Sequence, residues 1–175
     1  MEPSFALSVE SLSRTPDVLE STVLHRPEEW LDLRHASDVL SPREVVGHLA
    51  QGEIEDWIPR ARIILEAGES QTFTPFDRYK FQEKSHATPI EELLAEFRRL
   101  RAANVDALMA MNLTEDDLDR RGVHPAHGPV TLRNLVHTWA AHDLYHLGQV
   151  YKSFSVFYLD KIGAWQGSLN LPHFN

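Results

Sequence analysis

Apolar residues recur every three or four positions along four stretches of the chain, the spacing that places them on one face of an α-helix. The clearest stretch contains Leu93, Leu94 and Phe97, and the longest begins at Leu132. The sequence has no alternating pattern long enough to predict a β-strand. We therefore predict helices over residues 15–25, 41–66, 88–111 and 131–158.

Helix-starting signals precede all four stretches, and Thr15-Pro16-Asp17 is the signal before the first. The segments Ser41-Pro42-Arg43-Glu44 and Thr88-Pro89-Ile90-Glu91 each place a hydroxyl before a proline and a glutamate at the third helical position. Thr131 lies in the corresponding place before the last helix. Pro59 lies inside the second predicted helix, where we expect a kink or break near residues 57–58.

The segments that connect the predicted helices are predicted to be irregular. Residues 78–87 have no regular pattern, and the glycines and prolines of residues 121–130 predict a loop. Four principal helices predict an all-α fold, a four-helix bundle. At about 150 residues per domain, 175 residues fit one domain spanning 1–175, with a core at about 15–167.

Composition excludes several classes of function. The chain has no cysteine, which rules out a disulfide scaffold, a thiolate metal site and a cysteine nucleophile. The net charge of −9 argues against nucleic acid as a partner, because an acidic surface repels phosphates. The sequence has no apolar run of the roughly 20 residues that a membrane span needs. The first ten residues lack the features of a signal peptide, so we expect a cytoplasmic protein.

Three of the ten histidines form a candidate metal site. His142 and His146 lie about 40° apart and one turn along the fourth predicted helix, so both can reach one ion. The pair alone is equally typical of a polar stripe, or of hydrogen-bonded histidines in a bundle core. His48, taken alone, fits a buried histidine satisfied by hydrogen bonds. Together, the three would make an open three-nitrogen site that leaves room for water or substrate.

Two segments of the chain resemble the DinB family, also described as DinB-like or YfiT-like metal-dependent enzymes. They are residues 40–50, Leu-Ser-Pro-Arg-Glu-Val-Val-Gly-His-Leu-Ala, and residues 131–149, which end in His142-Asp-Leu-Tyr-His146-Leu-Gly-Gln149. The similarity extends from about Thr15 to Gly167. It implies an up-down-down-up four-helix bundle that binds a divalent metal ion through one histidine of the second helix and two of the fourth. The implied ligands in this chain are His48, His142 and His146.

The other histidines and the nearby acidic residues are not interpreted as metal ligands. His137 lies about 140° from His142 around the helix, so we expect it to face elsewhere. We interpret His124 and His127 as solvated loop residues. Glu53 and Glu55 are interpreted as surface carboxylates. Asp143 is expected to pair with an arginine or to orient a neighbouring ring.

The resemblance implies a metal-dependent enzyme acting on a small molecule, either a thiol transferase or a hydrolase. Zinc or nickel would suit three nitrogens best, and iron, cobalt or manganese would also fit. A thiol is then a candidate partner, and dimers occur among related proteins, so we expect a homodimer. The sequence does not identify a general base. The alternative hypothesis is a non-catalytic, stress-linked binding domain with a structural metal.

Overall fold

The computed structural model describes residues 4–77 and 79–168. Within these ranges, eight α-helices and one β-hairpin are connected by turns and short 3₁₀ segments. The helices are α1 (Phe5–Val23), α2 (Glu28–Leu31), α3 (Pro42–Glu55), α4 (Trp57–Glu66), α5 (Lys80–Ala87), α6 (Ile90–Ala110), α7 (Glu115–Leu118) and α8 (Leu132–Val156). The hairpin strands are β1 (Arg121–His124) and β2 (Gly128–Thr131), and the 3₁₀ segments are Gly68–Ser70, Leu159–Lys161 and Gly163–Ser168.

Two of the four predicted helix starts, those at Ser41 and Thr131, are confirmed. The Ser41 hydroxyl accepts a hydrogen bond from the Glu44 N–H, and the Glu44 carboxylate accepts one from the Ser41 N–H. Thr131 forms the same reciprocal pair with Asn134. The predicted cap at Thr88 is wrong, because Pro89 is itself the residue that precedes α6 and it has no side-chain acceptor.

Two prolines account for the main differences between the predicted and observed helices. Helix α1 begins at Phe5, capped by Ser4, and contains Pro16 in its interior instead of starting there. The second predicted helix is divided at Asp56 into α3 and α4. The cause is Pro59, which cannot bond to the carbonyl four residues earlier, and the break lies within two residues of the predicted place.

Two connecting segments are more regular than predicted. Residues 80–87, predicted to be irregular, form α5, in which Phe81 and Ser85 are buried. Residues 121–131, predicted to be a loop, contain the antiparallel hairpin, in which Arg121 pairs with Thr131 and His124 with Gly128. Each strand has only four residues, too few for an alternating pattern to be visible in the sequence.

Contacts between helices establish the topology of the bundle. Ser8 and Thr22 of α1 bond to His137 and Tyr151 of α8, so these two helices are parallel. His48 and Glu53 of α3 lie against His142 and Trp139 of α8, so α3 and α8 are antiparallel.

Helix α6 completes the four-helix arrangement. Its Arg98 pairs with Glu20 of α1, whereas its Arg101 bonds to Leu12, so α6 runs antiparallel to α1. Because α1 and α8 run one way and α3 and α6 the other, the chain has the expected up-down-down-up order. Among the described helices, none combines the length and the apolar character of a bilayer-crossing segment.

The interior of the bundle consists of two apolar clusters with polar residues between them. One cluster includes Leu49, Phe97 and Val150. The other includes Trp57 and Trp139. On α3, α6 and α8, four buried polar side chains fall between the residues that belong to these two clusters. The members of this polar layer are Glu53, Arg101, Asp143 and His146, and the partly buried His48 lies beside it, against His142.

Candidate metal centre

Helices α3 and α8 bring the three predicted histidines together. The Nε2 atom of His142 lies 3.0 Å from Nε2 of His48 and 3.1 Å from Nε2 of His146. The three candidate ligand atoms all lie within 4.8 Å of one another. His146 is buried, and the other two rings are partly buried.

The spacing of these nitrogens suits a divalent cation. Two nitrogens that each lie about 2.0–2.1 Å from one ion are roughly 3 Å apart when their bonds meet at a right angle. Among the described residues, no carboxylate or fourth histidine joins this cluster. Three imidazole donors without a fourth protein ligand are typical of an open site, and closed structural sites usually have four.

His146 is oriented by a neighbour on its own helix. Its Nδ1 donates a hydrogen bond to Oε1 of Gln149 at 2.6 Å. Because the proton is then on Nδ1, the Nε2 lone pair points toward the other two histidines. The Gln149 amide in turn lies 3.5 Å from the Tyr145 hydroxyl. An outer hydrogen bond of this kind fixes both the tautomer and the ring angle of a metal-binding histidine.

The environment keeps the imidazoles of His142 and His146 neutral. Burial and, to a smaller extent, charge repulsion from His146, His48 and Arg101 lower the pKa of His142 to about 2. Burial also lowers the pKa of His146, against the opposing effects of Gln149 and Asp143. A histidine must be neutral to bind a metal, so the fold supplies the required protonation state at neutral pH.

Aromatic side chains surround the three imidazoles. Phe76 and Phe81 meet the His48 ring at centroid distances of 5.4 and 5.3 Å. Trp57 packs edge-on against His142 at 5.3 Å, and Tyr145 against His146 at 5.1 Å. Phe81 and Trp57 are buried, whereas Phe76 is partly exposed and Tyr145 is exposed. An apolar surrounding of this kind limits the access of water to a bound ion.

A buried ionic cluster lies beside the histidines. Arg101 is 1% exposed and bonds to both Glu53 and Asp143. Burial disfavours the charged guanidinium, but attraction to the two carboxylates is stronger in sum, so the pKa of Arg101 is raised. The prediction that Asp143 pairs with an arginine is therefore confirmed.

The interpretation of Glu53 as a surface carboxylate is wrong. Its side chain is buried and accepts hydrogen bonds from Arg101, Asn104 and Trp139. Burial raises the pKa of Glu53, although the bonds from Arg101 and Asn104 oppose the shift. Glu53 lies about 140° around the helix from His48, and this direction faces α6 instead of solvent.

The remaining candidates, apart from His124, behave as the sequence predicts. The His137 ring bonds to Ser8 of α1 at 2.8 Å, away from the three-histidine cluster. His124 and His127 stack on each other, and His127 is exposed in the hairpin turn as predicted. The interpretation of His124 as a solvated loop residue is wrong, because His124 is the last residue of β1 and is partly buried. Glu55 pairs with the exposed Lys80.

Sequence reasoning missed Arg101 and the aromatic neighbours Phe76 and Phe81. Arg101 had a detectable signal, since it lies four residues after Phe97 and seven before Leu108, on the apolar stripe of α6. An arginine at such a position predicts a buried partner. Phe76 lies outside any helix, so no periodicity connects it to His48.

Comparisons with known proteins agree with this geometry. Residues 11–150 match the sequence model of the DinB superfamily. A protein of Oceanobacillus iheyensis, named provisionally as a metal-dependent hydrolase, is 25% identical over 143 residues, which is 81% of each chain.

Two solved structures share the fold. YfiT from Bacillus subtilis, described as a probable metal-dependent hydrolase with an unusual four-helix bundle topology, has a TM-score of 0.77 at 21% identity, over 90% of this chain and 89% of YfiT. An uncharacterised protein from Clostridium difficile 630 has a TM-score of 0.63 at 13% identity, over 89% of this chain and 98% of the other. At these identities the two structures show the fold alone.

Proposed function

This chain belongs to the DinB superfamily, and on that premise we propose that it is a metal-dependent enzyme, hydrolase-like in its chemistry, that acts on a small molecule. The proposed ligands of one divalent ion are His48, His142 and His146. The observation that carries the proposal is the convergence of three imidazole nitrogens from two helices, with neighbouring Nε2 atoms 3.0 and 3.1 Å apart. The provisional name of the relative from Oceanobacillus iheyensis supports hydrolysis as the reaction class.

A divalent ion held there would act as a Lewis acid toward a bound substrate and would lower the pKa of a bound water or thiol. The protein's own residues have separate tasks. The three imidazoles would hold the ion, and Gln149 keeps the proton of His146 on Nδ1. Phe76 and Tyr145, the more exposed aromatic neighbours, would contact an apolar part of the substrate.

Thiol transfer is a second candidate, and the position of the nearby carboxylates favours it. Glu53 and Asp143 lie on the same helices as the three histidines, but both accept hydrogen bonds from Arg101 and are buried. Neither is available to accept a proton from a substrate. A reaction in which the metal itself promotes loss of the proton, as with a thiol, needs no such base.

The metal and its role are also part of the proposal. Zinc or nickel suits three imidazoles, although iron, cobalt and manganese can bind the same donors. The alternative is a structural ion that only holds α3 and α8 together in a binding domain. The three-donor set supports catalysis instead, because it leaves coordination positions for a substrate.

The test is to load the purified protein separately with zinc and nickel and to assay two panels. One panel contains chromogenic esters and amides, and the other contains low-molecular-weight thiols with a chromogenic electrophile. We expect turnover in one panel that is lost in the His142→Ala variant. Metal-dependent stability without turnover in either panel would favour the structural ion, and failure to retain any divalent metal would overturn the proposal.

We also propose that the protein is a homodimer. Leu144 and Tyr151 are more than half exposed on the outer side of α8, seven residues and about 20° around the helix from each other. Apolar side chains grouped on one exposed helix face are typical of an interaction surface. Near these residues α8 carries no exposed acidic side chain, so two chains of net charge −9 could meet here with little repulsion.

A further inference from the structure

The hydrogen bonds of Arg101 connect its own helix, α6, to the other three helices of the bundle. Its Nε and Nη2 donate to Oε1 of Glu53 on α3, at 3.0 and 2.8 Å. Its Nη1 and Nη2 donate to the two carboxylate oxygens of Asp143 on α8. Nη1 also donates to the Leu12 carbonyl of α1 at 2.9 Å. The five N–H groups of the guanidinium therefore all donate, to four acceptor atoms.

Two of the groups that accept these bonds, the Leu12 carbonyl and the Glu53 carboxylate, are notable for their other partners. Pro16 has no N–H, so the Leu12 carbonyl lacks its normal helical donor and Arg101 supplies one. Glu53 accepts further bonds from Trp139 and Asn104, at 3.1 and 3.0 Å. The rings of Phe97 and Trp139 lie 4.9 and 5.2 Å from the guanidinium carbon. The cluster is thus a fully bonded polar network inside an apolar bundle.

The two carboxylates lie close in sequence to the proposed metal ligands. Glu53 is five residues after His48 on α3, and Asp143 directly follows His142 on α8. The bridge from Glu53 through Arg101 to Asp143 therefore fixes how far α3 can slide or turn against α8. The position of α3 relative to α8 in turn determines the distance between the His48 and His142 nitrogens.

Stability alone does not explain an ionic cluster at this position. Removing charges from water is costly, and well-packed apolar residues of similar size often stabilise a core equally well or better. Apolar packing is tolerant of small shifts, whereas a forked guanidinium bonded to two carboxylates permits one arrangement. The proposed metal ligands come from two different helices, α3 and α8, and their relative placement requires this accuracy.

We propose that Arg101 is the positioning residue of the metal centre, which sets the register of α3 against α8 through Glu53 and Asp143. This inference rests on the proposed function, because it assumes that the three histidines bind a metal. Arg101 itself does not touch the ion or the substrate. Its effect is on the relative placement of His48 and the two histidines of α8.

The test compares two arginine-to-lysine variants with Co²⁺ as the probe. Arg101→Lys keeps the positive charge but loses the fork. The matched control is Arg43→Lys, because Arg43 is also buried and bonds to two carboxylates, Glu28 and Asp32, but does not connect α3 to α8. Metal affinity and the visible absorption spectrum of bound Co²⁺ are measured well below the melting temperature of each variant.

For Arg101→Lys we expect Co²⁺ binding about 10-fold weaker or more, the size typical of lost outer-shell support, and a changed absorption spectrum. Arg43→Lys should keep the affinity and spectrum of the wild type, even if its melting temperature falls. Unchanged affinity and spectrum in Arg101→Lys would overturn the inference, since a merely structural residue would lower only stability.

Two further outcomes separate this inference from the proposed function. If Arg101→Lys does not fold, Glu53→Gln removes one charged arm of the bridge at nearly constant size. Wild-type affinity and spectrum in Glu53→Gln would then overturn the positioning role. A wild-type protein that binds no Co²⁺, Zn²⁺ or Ni²⁺ would overturn the proposed function and this inference together.

Discussion

The imidazoles of the candidate centre are oriented by different neighbours. His146 donates a hydrogen bond to Gln149, whereas the His142 ring packs edge-on against Trp57. The first kind of support fixes a tautomer, and the second fixes only the orientation of the ring. The individual side chains should therefore differ in how strongly their surroundings affect metal binding.

Replacement of single ligands should separate their contributions. In His142→Ala or His146→Ala the two remaining nitrogens come from separate helices, and we expect tight metal binding to be lost. In His48→Ala the local pair on α8 remains, and we expect weak residual binding. Elemental analysis after dialysis measures the bound metal.

The control for these variants is His137→Ala, since His137 is on α8 but bonds to Ser8 of α1. We expect it to retain the metal. Loss of metal in His137→Ala together with retention in His142→Ala would contradict the assignment of ligands.

The support from Gln149 should be measurable by itself. Gln149→Leu keeps a side chain of similar size but removes the acceptor for the Nδ1 proton of His146. We expect metal affinity to fall about 10- to 100-fold, the range found for lost outer-shell hydrogen bonds. Titration with a chelator in competition measures the change, and affinity equal to the wild type would show that the bond to Gln149 is unimportant.

At the scale of the helices, α3 and α5 approach each other closely at Gly47. A Cβ atom on Gly47 would lie 1.9 Å from Oγ of Ser85 and 3.1 Å from its Cβ. Ser85 is buried, and its hydroxyl donates to the Phe81 carbonyl. The absence of a side chain at Gly47 therefore allows α5 to pack next to His48.

Alanine should have opposite effects at two helical glycines. Gly47→Ala should lower the free energy of unfolding by about 1–3 kcal/mol, the usual cost of overpacking. Gly148→Ala should raise it by up to about 1 kcal/mol, because alanine favours the helix and no atom lies within 4 Å of the added carbon. Chemical denaturation measures both, and equal stability of the two variants would contradict the close packing of α3 against α5.

The start of the first helix was predicted wrongly from the sequence. Apolar periodicity predicted the four long helices, but Thr15-Pro16 indicated a helix start inside α1. The signal was misleading because Thr15 bonds back to the Ser11 carbonyl, and the carbonyl that Pro16 leaves free bonds to Arg101. Arg101 is 89 positions away from Leu12, and its bond satisfies the carbonyl that Pro16 leaves without a donor. No local sequence pattern predicts such a contact.

At the scale of the whole molecule, burial of the histidines makes stability dependent on pH. The unfolded chain binds a proton at His142 and His146 near pH 6.5. In the folded protein the pKa of His142 is lowered to about 2, and that of His146 is lowered as well. Below about pH 6.5 the unfolded state therefore binds more protons, and the free energy of unfolding falls as pH decreases.

We expect the metal-free protein to lose up to about 1.4 kcal/mol per pH unit for each such histidine below pH 6.5. Asp56 acts in the opposite direction below pH 6, because burial raises its pKa to about 6. The difference between wild type and His142→Gln isolates the contribution of the histidine. Thermal melts from pH 7.5 to 5.5 measure it, and parallel pH profiles for the two proteins would contradict the prediction.

The oligomeric state is a separate test of the whole molecule. A homodimer of 20.0 kDa chains should sediment with a mass near twice that value at micromolar concentration. Tyr151→Glu, which places a charge on the exposed face of α8, should shift the population toward the monomer. A wild-type mass near that of one chain would overturn the proposed homodimer.

The sequence by itself determined the four long helices, most of their limits and the candidate ligands. Helix periodicity and capping are local properties, and the pair His142–His146 is fixed by the helical repeat. Only the tertiary structure decided that His48 reaches this pair, that Glu53 is buried, and that Arg101 joins α1, α3, α6 and α8. Those facts depend on which helix faces packed together, and packing brings together residues that lie far apart in the chain.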